Sequence, residues 1–313
     1  MKERIVLFSH FSKSGELPTC SRRMLLSIKE QGWVFIVISN FLNSEALEWC
    51  KLQGMEWILR DNKGRDFGAF QHGLFYLKQE QRLANCMGLI LLNDSVYLRC
   101  DYLQSSWVRF LNGLDDTLLA ITDSYQNGYH LQSYALNIPP LIFNSTQWHN
   151  FWRLLNISGS TAAIIRNGEI ELSAHLLRAG FKLKALHPVL DLRRLSGSTQ
   201  FFEWLKMQLD ASQQRMVHDY IAAQARVSSC IINPSHQLVI TSLFDGAPLV
   251  KRDLLEANPS AVPDPFFFAS SVDWFDAEEM VGYLKPPLVG FKGSGLIQKI
   301  LRKLYNFSTR IQR

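Results

Sequence analysis

Four short, almost wholly apolar runs recur in the first hundred residues, at Ile5 to Ser9, Val34 to Ser39, Glu56 to Leu59 and Gly88 to Leu92. Stretches long enough for amphipathic helices lie between them. Runs of this length suit strands, and strands alternating with helices are joined most simply as βαβ units on a mostly parallel sheet. The expected fold is therefore α/β, a Rossmann-type and mostly parallel sheet flanked by helices, with a helical extension towards the C-terminus. Helices are expected at about 20–31, stopped by Gly32, at about 44–53 with Ser44 as the N-cap, and at about 67–80. Leu118 to Thr122 reads as a further strand. Tyr134 to Phe143 reads as another, and Pro139-Pro140 would place it at a sheet edge. From Gln147 the pattern turns helical.

Several classes drop out on this reading. No run approaches the roughly 20 apolar residues of a membrane-spanning helix. The start, MKERIVLFSHF, reads as a first buried strand and not as a signal peptide. Five cysteines, widely spaced and without a CxxC pair, argue against a disulfide framework or a zinc site and suit a reducing, cytoplasmic location. The formal net charge of +5 is concentrated at the C-terminus. Residues 280–313 carry Lys285, Lys292, Lys299, Arg302, Lys303, Arg310 and Arg313 and no acidic residue. The rest is close to neutral, so no nucleic-acid partner is expected. No GxGxxG follows the first strand, and neither GxxxxGK[ST] nor GxSxG occurs, which removes the strongest signals for NAD enzymes, P-loop NTPases and α/β-hydrolases.

In an open α/β sheet, ligands bind outside the carboxyl ends of the strands, so the loops leaving those ends carry most of the functional information. After the third strand comes Arg60-Asp-Asn-Lys-Gly-Arg-Asp-Phe-Gly68. Its glycines and arginines beside a helix start suit a diphosphate, and equally an ordinary charged turn with Asp66 as a cap. After the fourth strand, Asn93-Asp94-Ser95 could hold a divalent cation through oxygen ligands, although a lone aspartate there is as readily a turn residue. Glu169-Ile170-Glu171 opens a helical segment ending at Gly180. A carboxylate there could deprotonate a hydroxyl, or simply oppose the helix dipole. The eight histidines form no i,i+4 metal pair.

HFSKSG after the first strand, VISN at 37–40, RDNKGRDFGAF at 60–70 and LLNDSVY at 91–97 resemble the rhamnan synthesis protein F family. HLQSYAL at 130–136, FW at 151–152, ELSAHLLRAGF at 171–181, NPSH at 233–236 and PLVKRDLLEANP at 248–259 continue the resemblance in order over roughly the first 260 residues. It implies a GT-A-like glycosyltransferase of surface polysaccharide synthesis such as lipopolysaccharide O-antigen. The donor would be a nucleotide sugar, at family level dTDP-L-rhamnose, and the acceptor a glycan or polyprenyl-linked glycan. His10 and Phe11 would then lie near the nucleotide base, and Arg60, Asn62, Gly64, Arg65 and Asp66 against the ribose and diphosphate. Asn93, Asp94 and Ser95 would stand where GT-A enzymes keep a DxD, with Asp94 facing the donor sugar or a Mg²⁺ or Mn²⁺ ion. NDS has one carboxylate where DxD has two, so the cation is an open expectation. His130, Gln132 and Ser133 would face the acceptor. Glu171 would be the catalytic base, with Glu169 as its rival. His236 and Lys251 would close the site from the C-terminal side.

One domain is expected over 1–259, followed over 260–313 by an aromatic, proline-rich segment and a basic tail. Leu296, Ile297, Ile300, Leu301 and Leu304 fall at helical spacing in that tail, which suits either peripheral contact with the inner face of a membrane or packing on the core. A non-catalytic sugar-nucleotide or glycan-binding scaffold is the competing reading, and an unrelated Rossmann-type nucleotide enzyme a third.

Overall fold

The computed structural model describes residues 2–99, 101–256, 258–260 and 262. The basic tail expected over 260–313 lies almost wholly outside them. The chain forms β1 (Glu3–His10), α1 (Thr19–Lys29), β2 (Val34–Ser39), α2 (Ser44–Leu52), β3 (Glu56–Leu59), α3 (Arg65–Gln79), β4 (Cys86–Asn93), β5 (Val96–Leu98) and α4 (Trp107–Asn112). It continues through β6 (Thr117–Ser124), β7 (His130–Leu131), β8 (Ala135–Ile138), α5 (Pro140–Phe143), α6 (Thr146–Leu154) and α7 (Thr161–Ile165). A π-helical turn, Arg166–Ile170, joins α7 to α8 (Glu171–Arg178). After β9 (Lys182–His187) come α9 (Val189–Leu195), α10 (Thr199–Gln208), α11 (Ala211–Ala225), α12 (Pro234–Gln237), α13 (Val239–Phe244), β10 (Leu249–Lys251) and α14 (Arg252–Glu256).

The main sheet runs β3-β2-β1-β4-β8-β6-β7, with β9 paired to β6. β3, β2, β1 and β4 are parallel neighbours, and β9 lies parallel to β6. β8 is antiparallel to both β4 and β6. This is the α/β fold, with a largely parallel sheet between helices, that the strand-and-helix rhythm foretold. The period-2 alternation of β1 divides the core. Ile5 and Leu7 join Ile36, Ile38, Leu89 and Leu91 beneath α3, α6 and α8. Val6 and Phe8 join Val37, Ile90 and Leu92 beneath α1, α2 and α4. A third cluster, built on Phe201, Leu205, Val217, Ile240 and Leu254, holds the C-terminal helices together.

Two local expectations change, and one pairing is new. Asn43, not Ser44, caps α2, its side chain accepting from Ala46 N–H at 2.9 Å. The segment 134–143 is not one edge strand. Its first part is β8, inside the sheet, and the proline pair starts α5, where a proline at the first helical position costs no hydrogen bond. β10 pairs antiparallel with β5, Lys251 opposite Val96. This second small sheet brings the C-terminal part of the chain back over the end of β4. Among the described residues no helix is long and apolar enough to cross a membrane, and Cys20, Cys50, Cys86 and Cys230 form no disulfide.

Candidate active site

The carboxyl ends of β1 and β4 lie side by side, Ser9 opposite Asn93. Both side chains reach to Asp66 in the first turn of α3. Ser9 Oγ donates to Asp66 Oδ1 at 2.8 Å, and Asn93 Nδ2 donates to Asp66 Oδ2 at 2.8 Å. Asp66 therefore ties two strand ends to a helix start and leaves the capping position to Gly64. Asp94 follows directly. Its N–H is held by the Ser9 carbonyl at 3.0 Å, and its Oδ2 accepts from Phe11 N–H at 2.9 Å. Burial pushes the Asp94 carboxyl up to about 7, and the nearby negative charge of Asp66 adds to that rise against the Phe11 hydrogen bond and the Arg252 charge.

Around this pair the other expected donor-side residues take distinct places. His10 ends β1, buried, and burial lowers its imidazole to about 4. Ser39 gives its hydroxyl hydrogen to the Phe41 carbonyl at 2.8 Å, so at 2.8 Å from His10 Nδ1 it accepts. Phe11 is exposed. Asn40 pairs with the backbone N–H and carbonyl of Ser12 at 2.9 and 2.8 Å, locking the loops after β1 and β2 together. Asn93 Oδ1 accepts from Ser95 Oγ at 2.6 Å, and Lys251 Nζ donates to Ser95 Oγ at 3.1 Å while lying 4.7 Å from the centre of the Tyr134 ring. Arg252, next to Lys251, donates to the Asp94 carbonyl at 3.1 Å. Arg60 bonds the Lys63 carbonyl and braces the turn. Asn62, Gly64 and Arg65 line a cleft between that turn and the turn at 157–161.

A second cluster gathers the residues expected to face the acceptor. His130 Nε2 is 3.2 Å from Glu169 Oε1, and Ser133 donates to Glu169 Oε2 through its hydroxyl and, at 3.3 Å, through its N–H. Burial alone would raise the Glu169 carboxyl. The hydrogen bond and charge of His130, the Ser133 hydroxyl and the charge of Lys251 outweigh it and hold the group below its ordinary value. Burial would lower His130, but Glu169 and the Gly128 carbonyl, 2.9 Å from Nδ1, raise it instead. Gln132 accepts from the Thr122 hydroxyl at 2.6 Å and donates to Asn233 at 3.0 Å, which ties NPSH to this wall. His236 pairs with Asp253 at 2.9 Å.

Glu171 is not brought into the cluster. Its side chain is 48% exposed and paired with Arg178, whereas Glu169 is 19% exposed. The π-helical turn decides this, because an i→i+5 turn carries an extra residue and shifts the side chains that follow on the helix surface. Gly168, beside Glu169, is where that turn packs closest, since a Cβ there would meet the Phe67 ring at 2.6 Å. Ser9, Tyr134 and Arg252 were not anticipated. Arg252 stood in the KRD tripeptide, and Ser9 in the last positions of the first strand.

Among the described residues no group of three or more His, Cys, Asp or Glu side chains forms a ready cation cage. The donor set nonetheless fits one hard cation sharing its coordination with a diphosphate. Mg²⁺ is commonly held by one or two carboxylates plus substrate phosphates, and Asp94 and Asp66 are two such groups whose mutual repulsion a cation would relieve.

The model of the rhamnan synthesis protein F family matches residues 34–205, more than half of the 313-residue chain. Virulence protein VirA of Vibrio anguillarum, including that of strain ATCC 68554 / 775, is 28% identical to it over 228 residues, covering 71% of this chain and 68% of VirA. The matched family region runs from β2 to α10 and holds Asp66, Asn93, Asp94, His130, Ser133 and Glu169. The chain thus belongs to the rhamnan synthesis protein F family and has its role in the synthesis of rhamnan or a related polysaccharide.

Proposed function

We propose that the protein is a glycosyltransferase that moves a sugar from a nucleoside-diphosphate donor to a growing polysaccharide or its lipid-linked precursor. The observation that carries this reading is the meeting of two carboxylate sites across one basic strand. Asp94 and Asp66 stand at the ends of β4 and α3, Glu169 on the opposite wall, and Lys251 between, bonded to Ser95 and close enough to depress Glu169.

The chemistry is displacement at the donor's anomeric carbon. The bond from that carbon to the diphosphate oxygen breaks, a bond to the acceptor oxygen forms, and the acceptor proton passes to Glu169. His130 and Ser133 fix the Glu169 carboxylate so that one oriented lone pair faces the acceptor. Lys251 and Arg252 meet charge developing on the leaving diphosphate. Phe11 and neutral His10 suit the base end of the donor. Asp94 and Asp66 would hold Mg²⁺ or Mn²⁺, which when bound would neutralise the diphosphate. A rhamnosyl donor, dTDP-L-rhamnose, is the substrate the family's name favours.

The test compares two neighbouring glutamates. Glu169→Gln keeps nucleotide-sugar binding, followed by thermal shift, and lowers transfer on the order of 10²- to 10⁴-fold, the span of a lost general base. Glu171→Gln leaves transfer within about twofold, because an exposed ion pair contributes on the order of 0–1 kcal/mol. Equal activity of the two variants would remove Glu169 as base, and failure of every nucleotide sugar to bind would favour a non-catalytic glycan-binding subunit.

A further inference from the structure

A second concavity adjoins the site. The turn at 62–65 and the turn at 157–161 enclose an open cleft of about 460 Å³. Its chemistry is one-sided. Lys63 and Arg65 line it together with Asn62, Ser158, Ser160 and Thr161, and no lining residue is acidic. Among the described residues neither the Lys63 ammonium nor the Arg65 guanidinium has an ion-pair or hydrogen-bond partner.

Backbone conformation holds the cleft in shape. Gly64 has φ 77° and Arg65 φ 50°, the left-handed region that a branched or bulky residue avoids. A Cβ on Gly64 would meet Ile157 Cβ at 2.5 Å, so glycine alone lets the two turns close on each other. An arginine kept at positive φ is a local cost that the surroundings must enforce.

The position of the cleft separates it from the donor pair. Asp66 is drawn to Ser9 and Asn93 at the strand ends, whereas Lys63 and Arg65, just before it, line the cleft. The far wall is α7, which runs through the π-helical turn to Glu169. Eight residues separate Thr161 from Glu169, about 12 Å of helical rise, a span suited to an acceptor that leaves one group in the cleft and offers a hydroxyl at the base. Two cations, several hydroxyl groups and an amide, with no carboxylate, match an anion of several oxygens.

We propose that this cleft is an anion subsite that takes a phosphate carried by the acceptor glycan, an inference that rests on the transferase reading above. It assigns Lys63, and Arg65 with it, to acceptor recognition and not to the donor diphosphate.

Titration calorimetry of the full chain with inorganic pyrophosphate and a hexose 1-phosphate tests it. The proteins are wild type, Lys63→Glu, and Lys51→Glu, which makes the same charge change at an exposed residue of α2. A nucleoside diphosphate with Mg²⁺ is titrated alongside. The expected result is phosphate binding that weakens tenfold or more in Lys63→Glu but not in Lys51→Glu, with nucleoside diphosphate affinity unchanged in both. Phosphate binding that is absent, or equal in the three proteins, overturns the subsite. So does joint loss of phosphate and nucleoside diphosphate binding in Lys63→Glu, which would make the cleft part of the donor site. Failure of the nucleoside diphosphate to bind wild type would instead count against the transferase reading. A short-chain prenyl diphosphate hexose in detergent identifies the source: tighter binding than the hexose 1-phosphate supports a lipid-linked acceptor at this subsite, and equal binding supports a soluble one.

Discussion

Asp94 sits where its charge is costly. Its carboxyl titrates at about 7 against an ordinary 3.8, because burial and the charge of Asp66 oppose ionisation more than the Phe11 N–H and Arg252 favour it. A carboxyl raised in the folded state favours folding while protonated, so its contribution is complete below pH 3.8 and is lost as pH rises towards 7. Asp94→Asn keeps an acceptor for the Phe11 N–H and removes the charge. The variant is therefore expected to be more stable than wild type, with the difference opening between pH 4 and 7 and level above. At roughly 1.4 kcal/mol per unit the ceiling is ~4 kcal/mol, and partial exposure leaves ~1–2 kcal/mol. Thermal melts across pH check this. A flat difference would mean that the Asp94 carboxyl is not raised in the folded protein. At pH 7.5 Mg²⁺ should raise the melting temperature of wild type and not of the variant. Glu169 runs oppositely to Asp94, whereas His130, raised as Asp94 is, runs in the same sense. A lowered carboxyl and a raised imidazole favour folding between them, with the benefit lost as pH falls through the first or rises through the second.

Among the elements, the π-helical turn between α7 and α8 does most to define the site. Two glutamates two residues apart end with opposite fates, one paired with His130 and one in solvent with Arg178. A regular helix through 161–178 would carry one residue fewer around the turn and rotate Glu169 off the His130 wall. Gly168 is the contact that keeps the turn against α3, since its missing Cβ leaves room for Phe67, which stacks on Trp152 at 5.8 Å. Gly168→Ala is expected to cost ~1–3 kcal/mol, the usual range for overpacking, and to lower transfer with little change in nucleotide-sugar affinity, because the donor-side carboxylates stand on other elements. Urea unfolding and steady-state kinetics check both. An unchanged rate would detach the turn from catalysis.

At the scale of the whole molecule, the C-terminal part of the chain completes a site begun by the first four strands. β10 reaches β5, Arg252 N–H bonds the Ser95 carbonyl at 2.8 Å, and Arg99 N–H bonds the Pro248 carbonyl at 3.0 Å. The return is latched by His187, at the end of β9, which gives Nδ1–H to Asp245 at 2.6 Å and accepts from the Ser106 hydroxyl at 2.7 Å. His187→Leu leaves that hydroxyl and carboxylate without their partner, at ~1–3 kcal/mol. It should also weaken nucleotide-sugar binding by loosening the segment that carries Lys251, although among the described residues the His187 side chain bonds Ser106 and Asp245 and no residue of the candidate site. A lower urea midpoint with unaltered nucleotide-sugar affinity would show that the latch supports the fold alone.

The sequence by itself determined the layered α/β plan, since apolar runs of strand length between helix-length segments have few other ways to bury their surface. Placing Asp66 and Asp94 at the ligand edge followed from the same pattern, because loops after parallel strands open on that edge. Single-chain spacing could not show that Asp66 would turn from its own helix cap to Ser9 and Asn93, for that depends on two strand ends becoming neighbours. The expected edge strand at 134–143 became an inner one because strand order is a long-range choice that two prolines do not fix. The exchange of Glu171 for Glu169 beside His130 and Ser133 was likewise decided in three dimensions. Periodicity assigns a helical face at a regular 3.6 residues per turn, and only packing of Gly168 on Phe67 and the pull of His130 and Ser133 reveal the extra residue that changes which glutamate faces in.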